Sequence, residues 1–252
     1  MPPHAVAGSR RLGQGRHVIA RASILCLLLA AAPALAQQEE ATPAPTRQGA
    51  GVSGAVTLLS DYRFRGISRS DEDPALQGQL TLSLPVGLYV GARGTSLKRF
   101  TGHGSAEADL YAGYGTGIAP GTTLDAGLLY YWFPDARGRA GYFEPYASVS
   151  HTLGPVEATL GAKYAWSQRA IGGADMLYLF GQIEAGIPAT PLTLTAEAGR
   201  QQSSAQGNYW NWSLGSRYAL GPLEAGLRYV DTNLPSRHRQ DATLVASLGF
   251  RF

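Results

Sequence analysis

Cysteine is nearly missing from this chain of 252 residues: the single one, Cys26, lies inside an N-terminal apolar stretch. If that stretch is cleaved, the mature protein has none, which excludes a disulfide framework and any Cys-ligated metal. Histidine is scarce too, and of the five present His4 and His17 lie in the same N-terminal region. No apolar run approaches the about 20 residues a membrane helix requires, and no helical periodicity can be followed beyond Val52. A basic excess is also lacking. The formal charge of +3 counts Arg10, Arg11, Arg16 and Arg21; without these four, the 21 basic residues become 17 against all 18 acidic ones. A nucleic-acid-binding surface therefore has no support.

What is present begins with a leader. The four arginines precede an apolar run from Ile24 to Leu35 that ends in Ala34-Leu35-Ala36. A basic region, a short apolar region and a small-x-small site predict a secretory signal peptide over 1–36, cleaved after Ala36. The apolar run follows Cys26 instead of preceding it, which argues against a lipoprotein site. Residues 37–51 are polar, carry Pro43 and Pro45, and read as a disordered periplasmic tether. The folded domain is expected over 52–252.

That domain is written in period-two alternation. In its last strand Leu244, Ala246, Leu248, Phe250 and Phe252 alternate with Thr243, Val245, Ser247, Gly249 and Arg251. Such alternation means a strand with one oily face. A strand ending on an aromatic resembles the closing strand of bacterial outer-membrane β-barrels, where the pattern is read by the barrel-assembly machinery. Phe250 and Phe252 are thus the expected assembly signal.

About twelve such segments can be traced, each near the nine to eleven residues of a tilted membrane strand. The first is expected to run from Gly54 through Asp61 into Tyr62 and Phe64. The second sets Leu76, Leu80, Leu82 and Leu84 against Gln77, Gln79, Thr81 and Ser83. Tight Gly/Pro turns (Pro85-Val86-Gly87, Gly117 to Gly121, Gly154-Pro155, Pro188 to Pro191, Gly221-Pro222) alternate with longer polar loops, among them Gly66 to Pro74 and Arg200 to Asn208. Short periplasmic turns and longer outer loops are the asymmetry of an outer-membrane barrel. Phe64, Trp132, Trp166, Trp210 and Tyr229 fall toward the long-loop ends, and Tyr114, Tyr218, Phe250 and Phe252 toward the other, as two interfacial girdles would. The predicted fold is an all-β transmembrane antiparallel barrel of about 12 strands. A soluble sandwich or lipocalin-like barrel is the competing architecture, but neither explains so many strands of near-constant length.

The stretch Ser60-Asp61-Tyr62-Arg63-Phe64-Arg65-Gly66-Ile67-Ser68, continued by Ser70-Asp71-Glu72-Asp73-Pro74-Ala75-Leu76-Gln77-Gly78, resembles the opening motif of the TorF-type porin family, the Gcw_chp bacterial proteins. Glu107 to Tyr114 and Gly141 to Tyr146 extend the likeness, which covers Val52 to Phe252. It implies an outer-membrane barrel with a channel function and carries over no catalytic chemistry.

Charged residues crowd the predicted inner face: Asp61, Arg63, Arg65, Arg93, Glu107, Asp109, Asp125, Glu144, Glu157, Lys163, Glu184, Glu197, Arg217, Glu224 and Arg228. Facing lipid at mid-depth, an Arg or Lys would cost about 2–4 kcal/mol, so these should face the lumen. There they either line a weakly selective aqueous pore or pair across it as a structural core. Arg63 and Arg65, followed by Asp71, Glu72 and Asp73, form either a gate or hard-cation site or a solvated loop salt-bridged to the strand. A hydrolase would draw on Ser148, Ser150 and His151, but Ser150 and His151 must point to opposite faces, so they cannot act as a nucleophile and base. The expected function is passive diffusion of small hydrophilic solutes or ions across the Gram-negative outer membrane. A non-conducting structural or adhesive barrel and an outer-membrane hydrolase are the alternatives. The implied partners are outer-membrane lipid and lipopolysaccharide, the assembly machinery and small solutes, with no nucleic acid, cofactor or metal.

Overall fold

The computed structural model describes residues 50–98, 104–136 and 141–252. The leader and nearly all of the tether lie outside the described residues, as do parts of the two loops around 99–103 and 137–140. Gly51, expected in the tether, already belongs to the first strand.

Twelve strands close into one antiparallel barrel. They are β1 (Gly51–Leu59), β4 (Ala75–Ser83), β5 (Leu88–Ser96), β6 (Ala106–Ala119), β7 (Thr122–Trp132), β8 (Gly141–Leu153), β9 (Val156–Ala165), β10 (Met176–Gly186), β11 (Leu192–Ser203), β12 (Tyr209–Leu220), β13 (Leu223–Thr232) and β14 (Thr243–Arg251). Two short strands, β2 (Arg63–Phe64) and β3 (Ile67–Ser68), form a separate hairpin between β1 and β4. The barrel closes where β1 meets β14, with Leu58 opposite Leu248 and Ala55 opposite Arg251. Phe252 completes the seam: its N–H donates to the Gly54 carbonyl at 3.0 Å, and the Gly54 N–H donates to Phe252 at 2.9 Å. Closure leaves no unpaired sheet edge, the condition for crossing a bilayer with strands.

Alternation sorts the faces as the sequence requires. Leu76, Leu80, Leu110, Leu160, Leu214 and Leu248 point outward and are exposed, whereas Gln77, Thr81, Asp109, Ser213 and Arg217 are buried inside. So much exposed leucine around one closed sheet is a lipid-facing surface, far beyond the apolar patches a soluble monomer carries. Trp132, Trp166, Trp210 and Tyr229 stand on the outside near one end, and Tyr114, Tyr218, Phe250 and Phe252 near the other. Phe64 does not. It is buried with its ring edge-on to Tyr131, centroids 5.6 Å apart, inside the barrel.

That correction reflects a larger one. The first strand stops at Leu59 and the chain turns into the lumen. Arg65 (φ 50) and Gly66 (φ 81) are the two central residues of a tight turn joining β2 to β3. Two successive positive φ values suit a two-residue hairpin turn, and Gly66 adopts one without penalty. The segment from Asp61 to Ser70 is therefore an inward hairpin and not the top of a strand, whereas Glu72 to Pro74 remain a solvated loop at its rim, salt-bridged to Arg63 and Lys98. The loop expected from Arg200 is shorter as well, because β11 runs to Ser203. The 3-10 turn Arg169–Ile171 buries Ile171 against the same core as Tyr62, Tyr131 and Met176.

Candidate functional site

The site is the lumen, and its two halves differ. Toward the long loops, the inward hairpin brings two arginines against acids on the barrel wall, beside a third pair that the wall makes within itself. Arg65 Nη2 lies 2.8 Å from Glu144 Oε1 on β8, with both side chains fully buried. Its Nη1 reaches Gln201 Oε1 at 3.3 Å, and its guanidinium carbon sits 4.2 Å from the Tyr178 ring centre. Tyr131 donates to the other Glu144 oxygen at 3.1 Å. Arg69 Nη1 pairs with Glu107 Oε2 at 2.6 Å, and its guanidinium lies 3.4 Å over the Phe64 ring. Tyr62 donates to Glu107 Oε1 at 3.2 Å. Arg93 and Asp109, register partners on β5 and β6, pair at 2.7 Å.

The hairpin also satisfies its own charges. Arg63 Nε binds Asp61 Oδ2 at 2.6 Å, and Ser68 and Ser70 donate to Asp61 Oδ1 at 2.6 and 3.0 Å. At the rim Asp71 and Glu72, both at positive φ, meet the last loop: His238 Nε2 lies 2.6 Å from Asp71, and the Arg239 N–H donates to Glu72 at 2.7 Å. Asp73 pairs with Lys98 at 2.8 Å; that hydrogen bond and the opposite charge hold the Lys98 ammonium above its ordinary pKa. Each of these loop carboxylates thus faces a basic or N–H partner of the chain.

Toward the short turns the lumen is lined unevenly. On one side Tyr89 donates to Asp125 Oδ1 at 2.7 Å and meets the Tyr146 hydroxyl. Both rings lie over Gly113, and Tyr146 also over Gly127, where a Cβ would strike the tyrosine hydroxyls. Gly113 is thus a bed for aromatic rings. On the other side an ion-pair ladder crosses four strands: Glu184 of β10 to Arg217 of β12, Arg217 to Glu224 of β13 at 3.9 Å, and Glu224 to Arg251 of β14. Next to it is a small cavity of about 50 Å³ lined by Gln182, Thr195, Glu197, Ser213, Arg217, Arg228 and Ser247. Gln182, Glu184, Glu197 and Arg228 are only half-buried, as are Ser148, Ser150 and Thr159 across the lumen, and Glu157 is exposed at the turn end. One half of the lumen is packed, and in the other the side chains of both walls stay partly accessible to solvent.

The fifteen candidates therefore divide into groups. Asp61, Arg63 and Arg65 ride on the hairpin, and Arg93, Glu107, Asp109 and Glu144 form the wall that receives it. Lys163 is buried beside Phe180, its ammonium 5.7 Å from the ring centre. Asp125 belongs to the tyrosine cluster, and Glu184, Glu197, Arg217, Glu224 and Arg228 to the charged wall. Glu157 accepts from Thr152 at 3.1 Å at the turn end. Two further charged residues, Arg69 and Arg251, take part in the lumen. Arg251 was readable from the inner parity of the closing strand, but Arg69 sits outside any alternating segment, and no sequence pattern singles it out. Ser150 bonds Thr159 at 2.7 Å inside, while the exposed His151 bonds Thr122 at 2.9 Å.

The fold has solved counterparts. A NanC porin structure superposes with a TM-score of 0.55 at 12% identity, covering 80% of this chain and 99% of that one. The KdgM porin gives 0.51 at 9% identity, covering 80% and 97%; the KdgM porin in complex with disordered oligogalacturonate gives 0.52 at 7% identity, with the same coverage. At these identities the likeness is one of fold. No curated protein matches. The family described as "Bacterial protein of unknown function (Gcw_chp)" matches residues 42–248, and the chain belongs to that family.

Proposed function

We propose that this protein is a TorF-type outer-membrane channel through which small hydrophilic solutes or ions diffuse passively, with the inward hairpin as its constriction. The observation that carries the reading is the half-buried charged wall of β10 to β14: a lumen meant only as a core would not leave Gln182, Glu184, Glu197 and Arg228 open to water. Fixed charges along a low-dielectric wall concentrate counter-ions and set selectivity. A porin of the same fold has been solved with a disordered oligogalacturonate, which supports the class of function and not the identity of the solute here. Location in the outer membrane, with lipopolysaccharide around the long loops and insertion by the assembly machinery through Phe250 and Phe252, belongs to the same proposal, as does the absence of catalysis. The second reading, a non-conducting barrel, is favoured by the fully buried Arg65–Glu144 pair in the lumen.

Planar-bilayer recording separates the two. The refolded mature chain should give discrete steps, and a variant with Arg63 to Ser70 replaced by a Gly/Ser linker should give larger and longer ones. A folded, heat-modifiable barrel that stays silent in both forms would establish the structural barrel. Hydrolysis of lipid or peptide by the purified protein would overturn both.

A further inference from the structure

We infer that the barrel wall carries two binding sites for a free guanidinium or organic-ammonium solute, occupied in this conformation by the chain's own Arg65 and Arg69. The inference rests on the reading of the lumen as a solute path and names the class of solute that path would take.

The wall supplies what a desolvated guanidinium needs. At the first site Glu144 gives a carboxylate held in place by Tyr131, Gln201 gives a second acceptor, and Tyr178 offers a ring face 4.2 Å from the guanidinium carbon. A carboxylate with acceptors and an aromatic face is the combination that recognises planar cations. At the second site Glu107 provides the carboxylate at 2.6 Å, and Phe133 provides a wall ring 5.7 Å from the Arg69 guanidinium. Both acids lie on barrel strands, whereas both arginines arrive on a segment outside the sheet.

The charge balance follows from that division. Asp61 leaves with Arg63, since the two are paired within the hairpin. Withdrawing the hairpin then leaves Glu107, Asp109 and Glu144 on the wall, opposed at this level by Arg93 and Lys163. Glu107 loses both Arg69 and Tyr62, and Glu144 keeps only Tyr131 of its hydrogen-bond partners. An excess of buried carboxylate attracts cations and repels anions. The arginines thus act as tethered occupants that a cationic solute must displace. An intramolecular occupant competes at an effective concentration in the millimolar range for a short flexible link, so millimolar solute is required.

The test uses ethylguanidinium, the head of an arginine side chain, with ethylurea as its neutral isostere. In refolded Arg65→Ala protein, millimolar ethylguanidinium should raise the melting temperature, ethylurea should not, and Arg65→Ala with Glu144→Gln should lose the response. In the wild type, which needs no substitution to fold differently, ethylguanidinium should speed hydrogen exchange of the 62–70 amides severalfold over ethylurea or sodium at equal ionic strength. Equal effects of ethylguanidinium and ethylurea on melting, or unchanged exchange of the hairpin, would overturn the inference. Conductance is a separate readout. A barrel that binds ethylguanidinium yet never conducts refutes the channel and leaves the cation sites standing; a conducting barrel indifferent to it does the reverse.

Discussion

Replacing Arg65 with methionine keeps most of the side chain's volume and removes the guanidinium that lies 2.8 Å from Glu144. Glu144 is then a fully buried carboxylate with one remaining donor, the Tyr131 hydroxyl at 3.1 Å. Stranding one member of a buried pair costs about 3–5 kcal/mol, because the desolvation of the survivor is no longer offset. The ring contact with Tyr178 is lost in the same change and is contained in that figure. Glu144→Gln should be comparable, somewhat softened because Gln201 still accepts from Arg65. The double variant leaves a neutral amide beside a thioether, so its loss should be well below the sum of the two. A coupling of about 2–3 kcal/mol is expected for residues in direct contact. Urea titration of the reversibly folded barrel in thin bilayers, followed by tryptophan fluorescence and by heat-modifiable gel mobility, measures all three variants. If each single change costs under about 1 kcal/mol and the two add, the pair behaves as an exposed one, and the hairpin does not sit in the lumen.

Facing is tested by Leu80→Arg and Leu160→Arg, at positions 50% and 72% exposed on the outer face; each should cost about 2–4 kcal/mol if near mid-membrane, while Gln79→Arg and Thr159→Arg should be far milder in the same titration. Replacing Phe250 and Phe252 with Ser should reduce membrane insertion while secretion to the periplasm continues, and equal heat-modifiable protein in mutant and wild type would refute the assembly signal. Gly113→Ala puts a methyl group against the hydroxyls of Tyr89 and Tyr146 and should cost about 1–3 kcal/mol by overpacking; an unchanged denaturation midpoint would mean the tyrosines do not rest there. Glu107→Gln with Asp109→Asn strands Arg69 and Arg93, so the melting temperature should fall; a reversal potential in a salt gradient that also shifts away from cation preference supports the channel, whereas a fall in stability alone supports the structural barrel.

The residues by themselves determined the barrel. Side chains on a strand alternate by geometry, so a lipid-facing strand writes its outer face into every second position, as Leu76, Leu80 and Leu82 do. A tight turn must be written in Gly and Pro, so the five short connections and hence the up-and-down order are local information. The closing pair of β1 with β14 is not local, yet it follows once twelve strands need partners and the last one carries the same oily face. What only the tertiary structure decided is the path of Ser60 to Pro74. Asp61, Arg63 and Arg65 keep the inward parity of β1, so the alternation continues smoothly through the point where the chain leaves the sheet. Parity fails there because a hairpin enclosed by a barrel is buried on both faces, which is why Phe64 packs on Tyr131 instead of meeting lipid. Arg65 at positive φ carries no local preference for that turn; Glu144, Gln201 and Tyr178, from 79 to 136 residues away, hold it. Arg69 was invisible for the same reason: the carboxylate that binds it is fixed by strand register, and register exists only once the barrel has closed.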